Sequence, residues 1–315
     1  MQWRQDLRYL LRRAAGGFLF GVPLLYTVEL WSIGAITRPS WLLGALGIGW
    51  VVVFLLLQAE GLRRQQRPAL WVSAVDTIEV LGIGVVCAAL SLFLLRRITL
   101  ETPLLESLGK VVFEAIPFSF GAALAASILE GDRRLSLPPP PSCPLPSPTT
   151  TATDSPEAAT SIPPNTPTDR LDSFTENWSQ RFDLGETLAD LDATLLGAFI
   201  IAFNIAPTDE ITILATDIPT LWLLLIMAAS LLMSYTIVFA AGFPNQDERQ
   251  QQQGLFQQPF SETVIAYLIS LAAAVGMLCF FHKIGLTDPW QKWLSYTVVL
   301  GLPASIGGAA GRIIV

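Results

Sequence analysis

Five ionisable side chains and one amide stand where this chain is otherwise apolar: Glu29, Lys110, Glu114, Asn204, Asp209 and Glu210. Ionisable groups are costly inside a membrane, and those that occur there face a bundle interior or a water-filled cavity. Carboxylates in such a place can hold a cation or a proton. The six therefore form a candidate polar cluster lining an outward vestibule or ion path. Lys110 and Glu114 are four apart, on one helix face and within pairing reach. The plainer reading is that Glu29 and Glu210 end their helices at the headgroups, with Lys110 tied to Glu114.

Little other chemistry is on offer. There is a single histidine, His282, and the three cysteines (Cys87, Cys143, Cys279) have no CxxC spacing, so no disulfide framework or metal site follows. Gly44, Gly47 and Gly49 lie in an apolar run with no preceding strand and make no nucleotide fingerprint. Without a nucleophile–base pair, phosphate loop or ligand set, we expect neither an enzyme nor a cofactor. A net charge of −7 argues against a nucleic-acid partner, which requires a basic stripe.

The elements that must position these residues are membrane helices. The chain is 52% hydrophobic and only 14% charged, where a soluble domain carries about 25% charged residues, and its mean hydropathy is +0.51. The pattern predicts an all-α polytopic protein with eight transmembrane helices. These run over 14–33, 41–59, 77–95, 107–129, 194–206 with a broken end at 207–210, 221–243, 263–281 and 293–314. Each is near the ~20 residues that a crossing needs. Residues 1–13 place Arg4, Arg8, Arg12 and Arg13 among Trp3, Leu7 and Leu10, the pattern of a short interfacial helix. Asp76 and Glu262 precede predicted spans and read as helix caps. Residues 131–170 are rich in Pro, Ser and Thr and predict a disordered cytoplasmic linker. Residues 171–193 predict an amphipathic interfacial segment. Three regions follow: 1–130, 131–170 and 171–315.

The second membrane region repeats the first. With an offset of 181, Gly16, Phe18, Thr27 and Glu29 fall on Gly197, Phe199, Thr208 and Glu210, and Trp41 on Trp222. Five extra residues in a glutamine-rich loop make the offset 186. Thr77, Pro103, Pro117, Ser119 and Gly121 then fall on Thr263, Pro289, Pro303, Ser305 and Gly307. The larger share of the nineteen Lys and Arg lies on one side when both termini are inside, which sets the orientation. An even number of spans per unit makes the halves parallel four-helix repeats.

At Phe203-Asn-Ile-Ala-Pro-Thr-Asp-Glu210 the chain resembles a family of bacterial integral membrane proteins with no established activity. The resemblance covers both halves and implies a bacterial plasma (inner) membrane location. The leading expectation is a transporter or channel for a small solute or cation. The alternative is a non-transporting scaffold or assembly factor that binds a protein partner through 131–193. In either case the first partner is the lipid bilayer.

Overall fold

An apolar chain in hydrocarbon has no water to satisfy its backbone N–H and C=O groups, and a helix satisfies them within one segment. The computed structural model describes residues 2–63, 70–130, 190–240 and 259–314, and every regular element among them is helical. The first half contains α1 (Gln2–Leu25), α2 (Val28–Ile36), α3 (Pro39–Arg63), α4 (Leu70–Leu94) and α5 (Leu104–Glu130). The second contains α6 (Asp190–Ile205), α7 (Glu210–Thr216) and α8 (Thr220–Tyr235), which continues through a π turn at Thr236–Ala240. It ends with α9 (Pro259–Phe280) and α10 (Trp290–Ile314). Six helices (α3, α4, α5, α8, α9 and α10) are long and apolar enough to cross a membrane. Two bent pairs raise the number to eight if each counts as one span.

The bent pairs correct the sequence reading. Residues 1–13 are not a separate interfacial helix, because α1 runs unbroken from Gln2 to Leu25. The span expected over 14–33 is instead broken at Tyr26 and Thr27, and α2 leaves α1 at 85°. The expected break after residue 206 is present, with α7 leaving α6 at 91°. The third predicted span, α4, begins at Leu70, so Asp76 sits in its second turn and does not cap it. Glu262 likewise lies inside its helix, in the first turn of α9, and its carboxylate pairs with Arg312. The linker at 131–170 and most of the 171–193 segment lie outside the described residues, and 190–193 belong to α6.

Two helices form the axis of the packing. Of the most apolar stretches of α5 and α10, 61% and 72% of residues are buried inside the protein, against 17% for α3. α1, α2, α3 and α4 all pack on α5, while α7, α8 and α9 pack on α10. Small residues allow the closest of these approaches, as lipid-embedded helices require. A methyl group on Gly16 would stand 2.6 Å from the Gly121 carbonyl oxygen, and one on Gly307 would stand 2.6 Å from that of Gly197. α4 and α9 also end alike. The N–H groups of Arg97 and Lys283 bond to the carbonyls of Leu92 and Leu278, six residues closing each turn. Arg96 and His282 take the left-handed position with φ of 56° and 57°, where such a cap usually has glycine.

At the end of the bundle that carries the termini, each half holds a buried arginine. Arg13 of α1 lies 3.8 Å from Glu79 of α4 and 4.2 Å above the Tyr9 ring. Arg312 of α10 pairs with Glu262 of α9 and lies 3.9 Å from Asp190 of α6, tying three helices together. Replacing one member of such a pair strands the other. Arg312→Met is therefore expected to cost up to about 3 kcal/mol, with part recovered by adding Glu262→Gln. Thermal unfolding in detergent measures both variants. In the same assay Gly307→Leu should destabilise by roughly 1–3 kcal/mol through overpacking. Gly44→Leu should be near neutral, since a side chain there meets nothing within 4 Å.

Candidate functional site

α5 presents one continuous face to α1 and α2, and its contacts set the register. Gly16 meets Gly121 and Ala125, Gly21 meets the ring of Phe118, and Gly34 of α2 meets Gly109 and Lys110. One turn from Phe118 on the same face is Glu114, and one turn from Gly21 is Leu25, the last residue of α1. The antiparallel register thus brings Glu114 level with the break between α1 and α2. Glu114 is 0% exposed, and neither carboxyl oxygen has a hydrogen-bond partner. A carboxylate without a partner in an apolar interior calls for a proton or a cation.

Lys110 does not supply that charge. Its ammonium bonds to Glu106 at 2.6 Å and donates to the Arg97 carbonyl at 2.9 Å. Both Glu106 and Glu114 are four residues from Lys110, and the pairing expected with Glu114 is made with Glu106. The reason lies in position. Lys110 points back toward the end of the bundle, where the loop after α4 offers a carbonyl acceptor.

The remaining predicted residues lie apart from Glu114. Glu29 is exposed in the first turn of α2, one residue beyond the break. Glu210 opens α7 and is half-buried, with one carboxyl oxygen covered and unpartnered. Asp209 is exposed and pairs with Lys283 at 2.8 Å. Asn204 is exposed, and its amide donates to the Ile200 carbonyl one turn back. The structure therefore places Glu29 and Glu210 each just past a bend. It ties Asp209 and Lys110 to partners outside the predicted cluster.

Residues outside that set join the halves at the same end. Pro303 has no N–H, so the Val299 carbonyl loses its helical donor. The buried hydroxyl of Tyr26, at the α1 break, donates to it. The indole of Trp222 donates to the Leu94 carbonyl at 2.7 Å and packs edge-on against Phe93. Arg97 reaches Asp217 at 3.0 Å and the Ile213 carbonyl at 3.2 Å. The sequence signal for the Tyr26 contact was the proline, whose orphaned carbonyl could have prompted a search for a hydroxyl. An open cleft at this end is lined by Thr216, Thr220, Gln291, Lys292, Ser295 and Tyr296, and it shares no residue with the Glu114 site.

The chain belongs to the family described as "Putative integral membrane protein (DUF2391)", whose model matches residues 9–315. It is thus an integral membrane protein, and the match runs through both helical halves. No curated protein and no solved structure matches it.

Proposed function

We propose that this protein transports a small solute or cation across a bacterial inner membrane, with Glu114 holding the translocated or coupling charge. The observation that carries this reading is the fully buried, unpartnered Glu114 carboxyl, set beside a span that breaks by 85°. Broken helices near an intramembrane charge are the usual substrate and ion sites of transporters. A scaffold has no use for a carboxyl without a partner, nor does this site offer a nucleophile or base pair for catalysis.

The architecture we infer is two parallel four-helix repeats, eight spans with each bent pair counted as one, and both termini cytoplasmic. The sequence-matched glycines Gly16 with Gly121 and Gly197 with Gly307 meet in the same way, which supports the duplication. So do the left-handed caps at Arg96 and His282, 186 residues apart. In this reading the two copies have diverged. The counterpart of Glu114 is Leu300, so the protein has one charged site and not two.

The test is flux in proteoliposomes of the full-length protein, across a panel of monovalent cations and small polar solutes. Glu114→Gln should lower the rate at least about tenfold, a barrier change of about 1.4 kcal/mol. Glu29→Gln and Glu210→Gln should leave it nearly unchanged. Equal flux in wild type and Glu114→Gln would remove that residue from the mechanism. Absent flux throughout, with a partner lost on deleting residues 131–189, would establish the scaffold instead.

A further inference from the structure

We infer that a monovalent hard cation of the sodium or potassium class binds at the α1–α2 break, between the Glu114 carboxylate and backbone carbonyls of α5 and α1. This deepens the transport reading above and rests on it for its role.

The ligand set consists of acceptors. Pro117 brings no N–H to the Phe113 carbonyl one turn back, so that oxygen lacks its helical donor in the turn that contains Glu114. In the other half the same device frees the Val299 carbonyl, which receives the Tyr26 hydroxyl. The sequence counterpart of Tyr26 is Pro207, which has no hydroxyl. The last four carbonyls of a helix also lack intrahelical donors. In α1 these belong to Val22, Pro23, Leu24 and Leu25, and the Thr27 N–H takes that of Leu24 at 2.9 Å. The end of α1 adds the negative pole of its dipole at the same level.

A carboxylate buried without a partner, level with the negative end of α1, is unfavourable until a positive charge joins it. Oxygen ligands select hard cations over soft ones. One carboxylate balances one positive charge, whereas a divalent ion would leave an excess charge buried. Lys110, one turn away on α5, is already neutralised by Glu106, and Glu29 is exposed. Among the described residues, the second half has Leu300 in place of Glu114 and a Val299 carbonyl already filled by Tyr26.

Thermal unfolding of the full-length protein in detergent tests this, in sodium chloride or potassium chloride against choline chloride at equal ionic strength. A ligand that binds only the folded state raises the melting temperature saturably. We expect that rise for sodium or potassium in wild type, Glu29→Gln and Glu210→Gln. We expect its loss in Glu114→Gln and a smaller rise in Pro117→Ala, which returns a donor to the Phe113 carbonyl. Cooperative melting of Glu114→Gln in choline shows that the variant is folded. A rise that persists in Glu114→Gln would overturn the assignment. So would identical wild-type melting in all three salts. If wild type and Glu114→Gln melt alike in choline and neither responds to sodium or potassium, the carboxyl holds a proton and not a metal cation, and the transport reading survives. A cation-dependent rise without flux leaves the site standing and removes the transport reading.

Discussion

A bilayer interior supplies no water, so each backbone group and each charge in this bundle has to be met from within the protein. Most are. Arg312 meets Glu262 and Asp190, and Arg13 meets Glu79. Serine and threonine hydroxyls along the spans, such as Thr77, Ser91, Ser119, Ser230 and Ser270, donate to carbonyls one turn back. The carbonyl that Pro303 frees is met by Tyr26 from the other half. Against that accounting Glu114 stands out: a charge-bearing group at the centre of the most contacted helix of its half, with both oxygens unmet.

The same demand explains how the two halves hold together. Leaving the Tyr26 hydroxyl or the Trp222 indole unpaired in an apolar setting would be costly, and each finds a carbonyl across the boundary between halves. Trp41, the sequence counterpart of Trp222, is 73% exposed. Two residues at matched positions thus serve different ends, one facing outward and one locking α8 against the end of α4. Asymmetric contacts of this kind leave the α1–α2 break in contact with the partner half, with Tyr26 as the link.

Parts of this were legible in the residues. The bend after α6 follows from Pro207 and the polar run that ends it. The bend after α1 is marked less plainly, by Pro23 and by the match of Thr27 and Glu29 to the later bend, and a continuous span was the natural expectation. The Lys110 pairing was not legible, because spacing of four allows both Glu106 and Glu114, and only the position of the Arg97 carbonyl decides between them. The start of α4 was misplaced by seven residues, because Asp76 resembles a cap in sequence but lies one turn inside the helix.

What the sequence by itself determined is the class of protein and one of its two bends, the one after α6. Composition requires a membrane, apolar runs require helices, and proline next to polar residues ends them. Which carboxylate is enclosed was a matter for the tertiary structure alone. Glu29, Glu114 and Glu210 are equally costly on paper, since the expense of a charge depends on what surrounds it. Packing α1 and α2 onto one face of α5 enclosed Glu114, while the 85° bend turned Glu29 outward.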